Sequence, residues 1–472
     1  GQADYTPKNS IERKAYQMMQ EGVLKNASFT FQVYDLTNDS VLASYNEHKS
    51  LTPASTMKLF STATAICTFG SYKQFETKLT YTGNIDSNGV LQGDLYIIGG
   101  GDPSLGSKYF TPQDSAQDSF MNEWVSAIQK EGIKSINGRV IGDASAFSEH
   151  MIPGTWSWGD IGNYYGAGPN GLTIYDNLLS LSFNSGKNDG DSTVVDCYEP
   201  FLPNITFNNQ VRASKINRDR AYIFAAPYQP QKTITGFIPR DREDFIVKGT
   251  IYDPAYQAAY DLEYHLLKNG ISVSQNASTS RLLRTEKPTT TTFYTHKSPT
   301  LSRIAYWTNH LSVNLFAEHL FQLVGLKRVR DGSNYGGSVA LSNFWKKHMN
   351  TSGLYISDGS GLSRQNAVSA SHFIGLLKYM KKSKYYNSFY TSLPIAGRSG
   401  TLSSIGRGTA AANNVRAKSG TMTRVKSYAG YAKTKSGKEV AFAMVINNYN
   451  CYTSTVTKKL EKLMVAIANY NG

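Results

Sequence analysis

Cysteine, metal-ligand spacings and long hydrophobic runs are scarce in this chain of 472 residues. Three cysteines, Cys67, Cys197 and Cys451, are too few for a disulfide framework, so one bridge at most can form. None of the eight histidines lies in a spacing such as His-Glu-x-x-His, and we expect neither a metal nor a cofactor. No apolar stretch reaches the length of about 18 residues that a transmembrane helix needs. Hydrophobic content of 40% with charged content of 18% fits a soluble globular protein.

Basic residues outnumber acidic ones and give a formal charge of +14, which favours anionic partners. We expect no nucleic-acid partner, because the sequence contains no Lys/Arg run and no nucleic-acid-binding motif. An anionic cell-wall polymer, an acidic peptide or a simple solvated basic surface would all fit this charge. The chain opens at Gly1 without a methionine or a visible signal peptide. We therefore expect a mature or trimmed form, and a missing signal does not indicate the cytoplasm.

The alternation of hydrophobic patterns predicts a multi-domain α/β protein. Its length allows about three domains. Strands at both chain ends around a helical centre predict one domain of residues 1–71 and 279–472, split by a mostly β insertion of residues 72–278. The elements that support this division are strands at 28–36, 41–45, 415–421, 427–433 and 440–447, and helices at 55–67, 301–324, 339–348, 371–380 and 454–470.

A serine and a lysine stand together at the start of the first buried helix, in the segment Leu51–Phe60. Pro53 indicates a loop ahead of this helix. Ser55 follows it, at a helix start where outward-pointing N–H groups favour negative charge. Lys58 is three residues further on and shares the face of the first turn. A hydroxyl beside an amine that burial can neutralise indicates a serine nucleophile. The alternative is an ordinary N-cap serine with a lysine nearby by chance.

Two further short motifs lie in the last third of the chain. Ser312-Val313-Asn314 falls in the apolar run predicted to be helical, and Lys418-Ser419-Gly420-Thr421 falls on the first late strand. Similar triplets occur at residues 182–184, in a predicted strand, and at residues 435–437, in a predicted hairpin turn. We reject these two on their context.

The ordered set Ser-x-x-Lys, Ser-x-Asn and Lys-Ser/Thr-Gly is typical of penicillin-binding proteins and serine β-lactamases. On these residues the chain resembles the low-molecular-mass class C penicillin-binding proteins, the D-alanyl-D-alanine carboxypeptidase/endopeptidase family. The gap of 257 residues between Ser55 and Ser312 (312 − 55) matches that family's long insertion. Ser419 stands where the family more often has threonine, and it keeps the hydroxyl. Further matching stretches are Gly93-Asp94-Leu95-Tyr96, Gly101-Asp102-Pro103-Ser104-Leu105, Asp358-Gly359-Ser360-Gly361-Leu362-Ser363-Arg364 and Leu393-Pro394-Ile395-Ala396-Gly397.

The resemblance implies a penicillin-binding/serine β-lactamase-like domain, an antiparallel sheet with helices, whose insertion folds as two smaller domains. It also implies export to the periplasm or cell envelope, and a serine D,D-peptidase that acts on peptidoglycan stem peptides and is acylated by β-lactams. The sequence does not distinguish carboxypeptidase from endopeptidase activity. The expected catalytic residues are Ser55, Lys58, Ser312, Asn314 and Lys418, and the expected substrate-binding residues are Ser419, Gly420, Thr421 and Asp160.

Each of these side chains suits one chemical role. Lys58 takes the proton of Ser55, and Ser312 passes a proton to the leaving amine. Asn314 holds the substrate amide. The Lys418 amine meets a substrate carboxylate together with the hydroxyls of the same motif, and its charge helps to keep Lys58 unprotonated. The N–H groups of Ser55 and Thr421 form the oxyanion hole.

Asp160 follows the unusual Trp156-Ser157-Trp158-Gly159 stretch. By resemblance it contacts the free ammonium of the stem peptide's diamino acid, and a carboxylate is a natural partner for that group. The alternative is a surface acid beside two packing tryptophans. Asp358 and Arg364 are instead predicted to shape a loop, because Gly359 and Gly361 favour a turn there.

Two other functions remain open at this point. A serine β-lactamase would share the nucleophile, but no convincing Glu-x-x-x-Asn element is present for a deacylating water. A non-catalytic wall-binding scaffold would keep the fold, although the intact motif residues argue against it.

Overall fold

The computed structural model describes residues 5–284 and 286–472; residues 1–4 and Thr285, which the predicted domains include, lie outside the described part. The helices in chain order are α1 Ser10–Met19, α2 Lys58–Phe69, α3 Met121–Lys130, α4 Pro254–Lys268, α5 Ser280–Leu283, α6 Leu301–His310, α7 Asn314–Val329, α8 Asn334–Lys346, α9 Ala370–Lys382, α10 Tyr386–Ser392 and α11 Thr453–Ala468.

The strands form five sheets. In chain order they are β1 Ser28–Asp35, β2 Ser40–Tyr45, β3 Glu76–Tyr81, β4 Asn84–Ile85, β5 Val90–Gln92, β6 Leu95–Ile98, β7 Ser135–Asn137, β8 Val140–Asp143, β9 Leu178–Ser185, β10 Thr193–Glu199, β11 Thr206–Asn209, β12 Arg212–Ser214, β13 Arg220–Phe224, β14 Gln231–Pro239, β15 Phe245–Thr250, β16 Ser272–Val273, β17 Ser278–Thr279, β18 Thr291–Lys297, β19 Arg416–Met422, β20 Val425–Lys433 and β21 Glu439–Asn447.

The chain forms two compact units, one made of residues up to Lys73 and from Thr300 onward, the other of Gln74–Pro299. The sequence predicts that the insertion ends between residues 278 and 279, whereas in the structure the insertion unit ends at Pro299. The reason is β18, which pairs antiparallel with β3 from Thr291–Tyr81 to Lys297–Glu76. This long-range pairing places residues 279–299 in the insertion unit.

The first unit is built on an antiparallel sheet in the order β19-β20-β21-β1-β2. Strands from the two ends of the chain therefore meet at the β1–β21 pair. Helices α1 and α11 contact each other, and both contribute buried residues to the same apolar cluster as β1 and β21. Helix α2 is buried from Lys58 to Ile66 and packs against α6 and α7, as expected for a helix that is apolar on most sides.

The predicted single helix over residues 301–324 is wrong, because the chain breaks between α6 and α7. Ser312 lies in this break with φ of +59°, a left-handed conformation that cannot continue a right-handed helix. The apolar spacing continues on both sides of the break, so periodicity alone does not reveal it. As a result, Ser312 precedes helix α7 instead of lying within a helix.

Within its described residues, the insertion unit has four sheets, ordered β10-β9-β15, β11-β14-β12 with β13 beside β14, β16-β7-β5-β4 and β17-β8-β6-β3-β18. The described residues of this unit include two apolar clusters of buried side chains. One includes Trp124 of α3 and Leu262 of α4, and the other includes Phe183 of β9 and Ile234 of β14. The unit is rich in strands, as the sequence predicted, with helices on the first cluster.

Two other global features follow from the described residues. None of their helices combines the length and apolar character that crossing a membrane requires. Cys67, Cys197 and Cys451 are all free thiols. Burial raises the pKa of Cys67 to about 11, which makes its thiol unreactive at neutral pH.

Candidate active site

Ser55 lies in a 3-10 turn, Ala54–Met57, that leads directly into α2. The turn is fastened to strand β20, because the carbonyl of Pro53 accepts hydrogen bonds from Thr56 Oγ1 at 2.8 Å and Ser427 Oγ at 2.6 Å. Ala54 is fully buried with φ of +56°. A non-glycine residue in this conformation is strained and is typical of sites where the chain positions a reactive group.

The amine of Lys58 is completely buried and lies against the Ser55 hydroxyl. It donates to Ser55 Oγ at 2.8 Å, to Asn314 Oδ1 at 2.6 Å and to the Ser360 carbonyl at 2.9 Å. Burial lowers the pKa of Lys58 to about 7, against the opposing charges of Asp358 and Glu318. The amine is therefore able to lose its proton near neutral pH, which is what a general base requires.

The Ser-x-Asn motif straddles the start of α7. Asn314 is the first residue of the helix, and its side-chain oxygen is bound to the Lys58 amine. Ser312, two residues earlier, is half-buried in the break described above. The motif therefore joins the serine–lysine pair through a direct contact of Asn314.

Strand β19 passes close to the backbone of Ser55. A Cβ added to Gly420 would lie 2.8 Å from Ser55 N and 2.9 Å from the Pro53 carbonyl oxygen, so only glycine allows this approach. Lys418 is fully buried, and its amine donates to the Ser419 carbonyl at 2.6 Å. Burial and then the charges of Lys58 and Lys426 lower the pKa of Lys418 well below the usual lysine value.

The hydroxyls of the same strand are held by neighbouring side chains. Ser419 Oγ pairs with Thr401 Oγ1 at 2.7 Å. Thr421 is exposed, and its hydroxyl accepts a hydrogen bond from Lys426 Nζ at 2.7 Å. Hydroxyls and cations along one strand edge form a suitable surface for a carboxylate.

Glu318 is a buried group near this site that sequence patterns did not single out. It lies on α7 one turn after Asn314, and its carboxylate accepts the N–H groups of Gly359 and Ser360. Asp358 shapes the same loop by accepting the N–H groups of Gly361 at 2.8 Å and Ser363 at 2.6 Å. Glu318 lies four residues after Asn314, so both side chains lie on one helix face. This spacing is the one sequence signal that would have indicated Glu318.

Asp160 belongs to the insertion unit and lies in the turn that follows Trp156 and Trp158. Its N–H donates to the Ser157 carbonyl at 2.9 Å. The carboxylate is hydrogen-bonded to Tyr165, and burial followed by the charge of Asp160 raises the pKa of that tyrosine to about 12. Trp158 is exposed and packs on Phe224. Asp160 is thus an acid held among aromatic side chains.

Eight of the nine predicted site residues lie in the first unit. Contacts connect Ser55, Lys58 and Asn314 directly, and Gly420 brings β19 against the backbone of Ser55. Within residues 5–284 and 286–472, no group of three or more histidine, cysteine or acidic side chains could bind a metal. The arrangement suits proton transfer at a serine hydroxyl, followed by attack on a carbonyl.

Comparison with known proteins gives one family for nearly the whole chain. Residues 12–470 match the model of the D-Ala-D-Ala carboxypeptidase 3 (S13) family. The chain is 27% identical over 472 residues to a D-alanyl-D-alanine carboxypeptidase of Actinomadura sp. (strain R39), an alignment that covers 96% of this chain and 84% of that protein.

Solved structures show the same fold. Penicillin-binding protein 4 of Haemophilus influenzae superposes with a TM-score of 0.82 at 25% identity, over 98% of this chain and 100% of the other. A second structure of that protein, complexed with a β-lactam, superposes with a TM-score of 0.78 at 22% identity and the same coverage.

Proposed function

Because this chain belongs to the D-Ala-D-Ala carboxypeptidase 3 (S13) family, it is a serine D,D-peptidase, and we propose that Ser55 is its nucleophile. The observation that carries this assignment is the Lys58 amine, buried at 2.8 Å from Ser55 Oγ with its pKa lowered to about 7. The proposed catalytic residues are Ser55, Lys58, Ser312, Asn314 and Lys418, and the proposed substrate-binding residues are Ser419, Gly420, Thr421 and Asp160.

The contacts of Lys58 support its role as the base. A neutral amine has two N–H donors and one lone pair. Donation to Asn314 Oδ1 and to the Ser360 carbonyl uses both donors. When the amine is neutral, its contact with Ser55 reverses direction, and the lone pair accepts the hydroxyl proton of Ser55. The Ser55 oxygen then attacks the carbonyl of the penultimate D-alanine.

Acylation and hydrolysis follow in two balanced steps. The proton taken by Lys58 is returned through Ser312 to the leaving amine as the C–N bond breaks, which frees D-alanine and leaves an ester on Ser55. Water then attacks the ester, gives one proton back to Ser55 and releases the shortened peptide. The N–H groups of Ser55 and Thr421 stabilise the oxyanion in both steps.

The surface along β19 is proposed to bind the terminal carboxylate of the stem peptide. Lys418 supplies positive charge, and the hydroxyls of Ser419 and Thr421 supply hydrogen bonds. Gly420 allows the strand to pass close enough to Ser55 for both groups to reach one ligand. The carboxylate of Asp160 suits the free ammonium of the diamino acid in the same substrate.

A β-lactam should acylate the same serine, since its strained amide has the shape of the scissile D-Ala-D-Ala bond. We expect the proposed substrate, peptidoglycan stem peptides, to be met outside the cytoplasm, in the periplasm or cell envelope. A formal charge of +14 suits association with an anionic wall polymer.

The test combines intact-protein mass spectrometry with product analysis. Wild-type protein should gain the mass of one penicillin, lasting for hours, and should release D-alanine from a D-Ala-D-Ala peptide. Ser55→Ala should lose both reactions. An adduct lifetime of milliseconds would assign a β-lactamase, and unchanged peptide hydrolysis by Ser55→Ala would refute the nucleophile. Purified monomeric and cross-linked muropeptides separate carboxypeptidase from endopeptidase activity.

A further inference from the structure

Glu318 lies beneath the serine–lysine pair and is connected to it by a short piece of backbone. Its side chain is completely buried on α7. Oε1 accepts the Ser360 N–H at 2.8 Å and the Gly359 N–H at 2.9 Å, and Oε2 accepts the Gly359 N–H at 3.2 Å. Hydrogen bonds are stronger in a buried site than in water, so these bonds hold their donors firmly.

The opposite edge of the same two residues faces α2. The Gly359 carbonyl accepts from Ser61 Oγ at 2.7 Å, and the Ser360 carbonyl accepts from Lys58 Nζ at 2.9 Å. The Gly359–Ser360 backbone is therefore clamped, with its N–H groups on α7 and its carbonyl groups on α2. A shift of Glu318 would move the carbonyl that orients the Lys58 amine.

We propose that Glu318 is a positioning residue of the acylation step, holding the Gly359–Ser360 backbone so that Lys58 presents its lone pair to Ser55. This proposal rests on the proposed role of Ser55 and Lys58. It extends the machinery beyond the three motifs, since Glu318 touches neither the nucleophile nor the surface proposed for the substrate.

Charge accompanies this geometric role. The charged groups that act on Lys58 are Asp358 in the loop and Glu318 on α7, and both raise the pKa of its amine. On the other side, the charges of Lys58 and Lys426 act on Lys418. Burial, and then the charge of Asp358, raises the pKa of Glu318 above the ordinary value for glutamate. Removing the Glu318 carboxylate should therefore ease deprotonation of Lys58.

Two substitutions separate position from charge. In Glu318→Gln the side-chain oxygen can still accept both strong N–H bonds, so acylation should stay within about threefold of wild type, with its acid limb at lower pH. In Glu318→Ala both N–H groups lose their acceptor, and a displacement of about 1 Å at the base costs on the order of 100-fold in rate. The assay is the acylation rate with a fluorescent penicillin across pH, alongside thermal unfolding.

Gln322→Ala is the matched control. Gln322 is buried one turn further along α7, and within the described residues its amide nitrogen and oxygen have no hydrogen-bond partner. It should therefore change the unfolding temperature without moving the pH profile. A folded Glu318→Ala protein with the wild-type rate and profile would overturn the proposal. The proposal would also be overturned if Glu318→Ala acylates slowly, Glu318→Gln acylates just as slowly, and the acid limb of the pH profile of Glu318→Gln stays at its wild-type position. Wild-type protein that takes no penicillin would instead refute the proposed function.

Discussion

Gly361 provides the sharpest test of how the backbone positions Ser55, the proposed nucleophile. It has φ of +89°, and a Cβ added there would lie 1.9 Å from the Ala54 carbonyl oxygen and 3.0 Å from Ser55 N. An ordinary contact begins at 3.4 Å, so Gly361→Ala must separate these groups by about 1.5 Å (3.4 − 1.9). Both neighbours are backbone atoms of the turn that carries Ser55, and neither can rotate away.

We expect Gly361→Ala to reduce acylation by a fluorescent penicillin by about 100-fold or more, because a misplacement of about 1 Å already costs that much. Its free energy of unfolding should fall by about 1–2 kcal/mol from the left-handed backbone and by about another 1–3 kcal/mol from overpacking.

Gly437→Ala is the control for backbone strain alone. Gly437 has φ of +90° in the turn between β20 and β21, and its Cβ would meet nothing within 4 Å. It should lose only the first of the two stability contributions and keep its acylation rate. If folded Gly361→Ala acylates within a few-fold of Gly437→Ala, the close approach to Ala54 does not position Ser55.

Three further predictions concern the base, the strand and the insertion. With the pKa of Lys58 lowered to about 7, the acylation rate should fall about tenfold per pH unit below that value, because only the neutral amine accepts a proton. An acylation rate that does not change between that value and about pH 5 would contradict this. Gly420→Ala places a Cβ 2.8 Å from Ser55 N and should slow acylation at least tenfold, whereas a wild-type rate would show that β19 is free to move. Asp160→Asn should lower kcat/KM about 10- to 100-fold for stem peptides with a free side-chain amine, the cost of one charged hydrogen bond. It should leave peptides with an acetylated amine unaffected, and equal losses on both would assign Asp160 a structural role.

The sequence predicts the fold where the hydrophobic pattern is regular. The late strands at 415–421, 427–433 and 440–447 occur as β19, β20 and β21, and the first hairpin occurs as β1 and β2. These segments succeed because local alternation and burial agree.

What the sequence does not reveal depends on distant partners. The break at Ser312 depends on a left-handed backbone conformation. No residue type in the surrounding apolar run indicates that conformation. In the sequence Glu318 is an ordinary acidic residue of a helix, and its contacts with the Gly359–Ser360 backbone are visible only in the structure. The late boundary of the insertion depends on β18 pairing with β3 across about two hundred residues. Motif order identified the chemistry, but the groups that position it become visible only in three dimensions.

The arrangement also explains how Lys58, the proposed base, can lose its proton with two buried acids nearby. A direct ion pair would hold Lys58 protonated, and within the described residues the amine makes no ion pair with Glu318 within 4.0 Å. Instead, the backbone of Ser360 lies between them, with its N–H on Glu318 and its carbonyl on the amine. The acid is bound by N–H donors, and the three oxygens that accept hydrogen bonds from the lysine amine are neutral. Burial can then dominate its pKa, which is the condition for activating Ser55 near neutral pH.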